Sequence, residues 1–277
     1  MIEGRRNGEG RRNGKDHRNS DGILAATDNV FRGVMVDPGA LPEAPEVFGD
    51  QLGRSLRTWR AEGYRVIWLE VPIAQSALIP TAVMQGFVFH HCEPDHVMLV
   101  NRLQPDAVVP PYATHYIGAG GLVLNSRQEL LVVVEKVHRH RQPNYYKLPG
   151  GALLPGEHLV AAVVREVREE TGIETRFREL VGFRHWHGYR FGKSDIYFIC
   201  RLDPLTQEIR IQETEIETCL WMPVSDYLAA ESVGIFNKRM VAAALGGAGL
   251  VPSWFDGYGT PETHEIFVSM RQNTYEP

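Results

Sequence analysis

Residues 151–173 read GALLPGEHLVAAVVREVREETGI, and their spacing says more about this chain than any other stretch. Leu159, Val160, Val163, Val164 and Val167 recur at the intervals of a helix with one buried stripe. The pattern predicts a helix from about Glu157 to Thr171, stopped by Gly172. At about 100° per residue, Glu166, Glu169 and Glu170 fall within an arc of roughly 100° beside that stripe. Three carboxylates there repel one another, and the end of a helix dipole already favours cations. A hard divalent ion turns the repulsion into coordination, and Mg2+ takes oxygen ligands together with substrate phosphates. Gly150-Gly151 lets the backbone pass close to metal or phosphate, and Pro155-Gly156 predicts a turn. Glu157 opens the helix at its favourable end, while Arg165 pairs with a neighbouring acid and orders it. A bare Arg-Glu-x-x-Glu-Glu run reads as a solvated helix face; the full string, led by a Gly-Gly turn, reads as a metal site.

Written out, the string is Gly151, five residues, Glu157, seven residues, then Arg165-Glu166-Val167-Arg168-Glu169-Glu170-Thr171-Gly172-Ile173. It resembles, without departure, the Nudix box. The resemblance implies an α/β/α sandwich that hydrolyses a nucleoside diphosphate linked to another group, with Mg2+ (or Mn2+) as cofactor. It also implies Glu166, Glu169 and Glu170 as metal ligands, the carbonyl of Gly151 as another, Glu157 in the metal cluster and Arg165 as their orienting partner.

A wider similarity rests on Phe87–Leu103 (FVFHHCEPDHVMLVNRL), Lys147-Leu148-Pro149-Gly150-Gly151, Gly192-Lys193-Ser194-Asp195 with Tyr197, and Glu213–Pro223 (ETEIETCLWMP). Over roughly residues 25 to 245 the chain resembles the plant ADP-ribose/NADH pyrophosphatases and the animal fibroblast-growth-factor antisense proteins. That likeness implies an acetyltransferase-like front module, ADP-ribose and NADH as substrates, AMP as a product, and a homodimer. Acetyl transfer itself is not expected, because Arg60-Ala61-Glu62-Gly63-Tyr64-Arg65 ends in a bulky residue where a phosphate-cradling loop needs a small one. The signatures of bacterial NADH pyrophosphatases and of coenzyme A pyrophosphatases are absent. A coenzyme A or nucleotide-sugar pyrophosphatase stays open as an alternative, as does a dinucleotide-sensing protein with little turnover.

Other residues carry two readings. Glu215 is a candidate general base, or an exposed acid among Glu213 and Glu217. Lys147, Arg184, Trp186 and Lys193 are candidate substrate-binding residues. Phe183, Tyr189 and Phe191 join Trp186 as rings that stack on adenine or merely pack. His90, His91, Cys92 and His96 suggest a metal cluster, but neighbouring side chains on a strand point to opposite faces. The expectation is therefore structural histidines that share no ion.

Composition bounds the rest. The 277 residues are 43% hydrophobic and 23% charged, which fits folded domains, and the length suggests two. A net charge of -5 excludes a nucleic-acid binder that depends on a basic surface. Three widely spaced cysteines and the lack of an apolar run of about 20 residues argue against a disulfide framework and a membrane span. A cytoplasmic setting and a small-molecule nucleoside diphosphate partner are expected. The expected division is a disordered basic tail at 1–22, where Gly-Arg-Arg-Asn-Gly repeats at 4–8 and 10–14, an α/β domain at 23–104, a proline-rich linker at 105–111, the Nudix-like domain at 112–250 and an irregular tail at 251–277.

Overall fold

The structure is a computed structural model that describes residues 16–17, 22–29, 31–138 and 145–269. Most of the expected basic tail, and residues 139–141 of a basic loop, lie outside the described residues. The chain divides into two units, Met1–Ala113 and Thr114–Pro277.

The first unit runs β1 (Asp16–His17), β2 (Ala26–Asp28), β3 (Gly33–Val36), α1 (Pro45–Ala61), β4 (Val66–Pro72), α2 (Ile79–Met84), β5 (Val88–Cys92) and β6 (His96–Arg102). Its strands form one sheet in the order β1-β2-β3-β4-β6-β5. Helix α1 buries Phe48, Leu52, Ser55 and Trp59 against Val34, Val36, Ile67, Leu69 and Leu99. It starts at Pro45, which suits the first helical position, where no N–H is needed. Strands β5 and β6 form an antiparallel hairpin that turns through Glu93-Pro94-Asp95.

The second unit runs β7 (His115–Val123), β8 (Glu129–Glu135), β9 (Gly150–Ala152), α3 (Leu159–Thr171), β10 (Thr175–Trp186), β11 (Ser194–Pro204), β12 (Ile216–Pro223), α4 (Val224–Ala229), α5 (Ile235–Gly246), β13 (Leu250–Ser253) and β14 (Ile266–Ser269). Six of these strands make a sheet ordered β14-β13-β10-β11-β7-β9, and β8 pairs with β12 in a second sheet. Strand alternation sorts the sheet's two faces. Ala119, Val123, Cys200 and Leu202 pack with Leu159, Val163 and Val167 of α3, while Leu122 and Ile199 pack with Tyr227 of α4 and with Val241 and Ala244 of α5. Each such buried aliphatic side chain contributes about 1.5–3 kcal/mol. Helices thus cover both faces of a mixed sheet.

Strands β7 and β8 adjoin through the turn after Leu124, yet they enter different sheets after a single bridge between Leu124 and Leu130. Ser225 lies inside α4, and its hydroxyl donates to Asp226 at 3.2 Å. Two strands form within the segment expected to be irregular: β13 joins β10 at Leu180–Leu250, β14 pairs with β13, and Phe267 packs on the α3 core.

Candidate active site

Glycines set the distance between α3 and the sheet. A Cβ on Gly121 of β7 would lie 2.4 Å from Val167 Cγ2, so only a bare strand admits the helix this close. Strand β9 pairs with β7 through Gly118–Ala152, Ala119–Gly151 and Gly120–Gly150. Gly150 has φ 148°, and a Cβ there would stand 2.1 Å from the Ala119 carbonyl oxygen. A Cβ on Gly151 would lie 2.7 Å from the Glu166 carboxylate. Helix α3 is held at both ends. Glu265 accepts from the Leu159 and Val160 N–H groups at 2.8 and 3.1 Å. Gly172, left-handed at φ 72°, donates its N–H to the Arg168 carbonyl at 2.8 Å.

Arg165 gathers the acids. Its guanidinium donates to both oxygens of Glu157 at 2.7 and 2.9 Å, to Glu166 at 2.8 Å and to Glu169 at 3.0 Å. Glu157 stands two residues before the first helical residue rather than within the helix. There it also accepts from the Leu154 N–H, and the Arg165 guanidinium holds its carboxyl below the usual range.

Glu170 faces the other way. It is 4% exposed, accepts from the Gly150 N–H at 2.9 Å and has Lys147 Nζ at 3.9 Å. Burial pushes its carboxyl up to about 7, against the opposing pull of Lys147 and the Gly150 N–H. Lys147 also pairs with Glu135 at the end of β8, and its backbone bridges to Val133. Tyr197 of β11 lies over Gly118 and Gly120, where an added Cβ would meet its ring at 2.8 and 3.0 Å. Burial, then Glu170, Glu135 and Glu166, hold its phenol protonated.

The expected substrate residues form a second group. Arg184 donates to buried Asp195 at 2.6 Å and lies over the rings of Trp186, Tyr197 and Phe236 at 5.3, 5.7 and 5.4 Å. Tyr197 therefore joins the carboxylates to Arg184 and Trp186. Lys193 sits over Tyr116 at 5.5 Å; Tyr116 and Trp186 both pack edge-on to Tyr189. Phe183 and Phe191 are exposed. Glu215 is exposed at the turn into β12, one residue before Ile216, which is the register partner of Glu135.

The structure thus brings Gly151, Glu157, Arg165, Glu166, Glu169, Glu170 and Lys147 together, with Arg184 and Trp186 beyond Tyr197. Reading the sequence missed Glu135 and Tyr197 as members of this group. The one available signal was Tyr197 closing the stretch that begins Gly192-Lys193-Ser194-Asp195. Among the described residues no three His, Cys, Asp or Glu side chains already surround one ion-sized spot. Arg165 engages Glu157, Glu166 and Glu169, while Glu170 turns to Gly150. The donors are nevertheless all oxygens crowded beside a glycine backbone, the set that a hard divalent ion takes.

Similarity to known proteins covers both units. The family model described as Nudix hydrolase domain matches residues 24–103, and that described as NUDIX domain matches residues 114–244. Nudix hydrolase 8 of Arabidopsis thaliana is 41% identical over 208 residues, 74% of this chain and 56% of that protein. Nudix hydrolase 2 of the same plant is 40% identical over 207 residues, 74% of each chain. The human nucleoside diphosphate-linked moiety X motif 6 is 36% identical over 203 residues, 72% of this chain and 64% of that protein. The match therefore spans little more than half the length of the first of these relatives. The sheet covered on both faces, the 151–173 string seated on β9, and these likenesses agree: the chain belongs to the Nudix hydrolase family.

Proposed function

We propose that this chain hydrolyses the diphosphate bridge of a nucleoside diphosphate derivative, ADP-ribose or NADH, releasing AMP in a reaction that needs Mg2+ or Mn2+. The observation that carries the reading is that Glu166 and Glu170 lie against the glycine backbone of β9, with Glu169 tied to Glu166 through Arg165 and with Lys147 beside Glu170. Divalent ions held by these carboxylates would polarise phosphoryl oxygens and make a water more acidic. The chain's own groups do the rest. Arg165 fixes Glu157, Glu166 and Glu169 in one orientation. Lys147 places a positive charge beside Glu170 and is the group suited to a phosphate oxygen. Arg184, anchored by Asp195, offers its remaining donors and its face to the substrate, with Trp186 as a stacking ring. We take Glu215, one residue before the register partner of Glu135, as the acceptor for the proton of the attacking water. The water oxygen joins one phosphorus as the bridging P–O bond breaks, leaving two monophosphates.

Phosphorus NMR of ADP-ribose, NADH and coenzyme A with the purified chain tests this. AMP should appear from the first two only when Mg2+ or Mn2+ is added. Binding without AMP release would replace the proposal with a dinucleotide sensor.

A further inference from the structure

We propose that His90 and His91 form a binding site for a late first-row divalent ion such as Zn2+ or Ni2+, on the unit that does not carry the carboxylate cluster. Alternation along a strand should send these side chains to opposite faces. Strand β5 breaks that rule: its register runs Phe89–Leu99, then His91–Met98, and leaves His90 without a partner. This is a bulge, in which two residues oppose one and the local alternation is lost. As a result the two Nδ1 atoms lie 2.6 Å apart.

The surrounding bonds settle which nitrogens are lone pairs. His90 Nε2 lies 2.8 Å from the Pro110 carbonyl oxygen, which can only accept, so Nε2 carries the proton. In neutral His90, Nδ1 is then a lone pair, and His91 Nδ1–H donates to it. One metal-binding lone pair already points into the spot, and transfer of the His91 proton from Nδ1 to Nε2 supplies the second while the ring stays neutral. A ring N–H given to a backbone carbonyl is also the partner that metal-bound histidines use.

Both rings are held in place. His90 packs edge-on to Trp68 at 4.9 Å, and His91 lies flat on Tyr112 at 4.3 Å and 2°. The Tyr112 hydroxyl donates to Glu93 at 2.7 Å. Two imidazole nitrogens at about 2.0–2.1 Å from a tetrahedral ion stand about 3.3 Å apart, so the rings need part by less than about 1 Å. His96 stands next to the pair, its ring 6.5 Å from that of His91 and its Nδ1 2.7 Å from Asp95. Among the described residues no third ligand is already in place, so water completes the coordination. Nitrogen donors select late transition ions over Mg2+.

The test is titration of the full chain with Zn2+ in excess Mg2+, against a competing chromophoric chelator. His91→Gln should weaken one Zn2+ site per chain by at least about tenfold. His185→Gln, which alters another close imidazole pair (His115–His185, 2.9 Å), should leave that site unchanged. Equal Zn2+ binding by the wild type and His91→Gln would overturn the proposal. Should the variant misfold, the wild type still decides. Zn2+ should shield His90 and His91 from diethyl pyrocarbonate, read by mass spectrometry on the tryptic peptide 66–102, and equal modification with and without Zn2+ overturns it.

Discussion

A metal-free sample taken from about pH 4.5 to about pH 8 is expected to lose stability, with Glu170 setting the size of the loss. Its carboxyl is buried, and that burial raises its pKa from 4.5 to about 7. A carboxyl with a higher pKa in the folded state holds its proton more tightly there than in the unfolded chain. Its contribution is whole below 4.5 and is lost as pH rises through about 7. At 1.36 kcal/mol per pKa unit the loss is about 3 kcal/mol. Mg2+ would bind the ionised form, so its stabilising effect should grow over the same interval. Urea unfolding of the wild type and of Glu170→Gln, in chelator and in Mg2+, measures both effects. The glutamine keeps an acceptor for the Gly150 N–H but does not titrate. Subtracting the variant removes other titrating groups, His91 among them. Equal pH slopes for the two proteins in chelator would refute the reasoning, as would a wild type that gains on the variant toward about pH 8.

Three further outcomes are expected. Glu169→Gln should cut turnover of ADP-ribose by about 10²-fold or more while the circular dichroism spectrum and melting point stay near wild type; even partners outside the first ring of a metal site act on that scale. Gly151→Ala should raise the Mg2+ concentration needed for half-maximal activity and cost about 1–3 kcal/mol in urea unfolding, because its methyl enters the space of the Glu166 carboxylate. Glu265→Ala should lower the melting point by about 2–4 °C through loss of a helix cap worth about 1 kcal/mol.

The central helix was legible because everything that defines it is local. The stripe of Leu159, Val163 and Val167, the stop at Gly172 and the acidic cluster all lie within one run of sequence. What depends on distant pairing was not. Glu135 reaches the cluster only because β8 carries Lys147 on its flank, and Tyr197 only because β11 runs parallel to the glycine-bearing β7. Glu265 meets Leu159 across more than a hundred residues, and no periodicity marks it. The opposite-face placing of His90 and His91 did not hold, for a different reason. Alternation is a rule for regular strands, and one unpaired residue in β5 reverses its outcome.

Strand β7 acts as a spacer of almost no thickness. Gly118 and Gly120 surrender one side to the Tyr197 ring, and Gly121 surrenders the other to Val167. A side chain added on the first side would drive the ring toward Arg184, whereas one added on the second would lift the acid-bearing helix off the sheet. The two groups of site residues therefore share a single partition, and its thinness, more than any one contact, sets how far apart they stand.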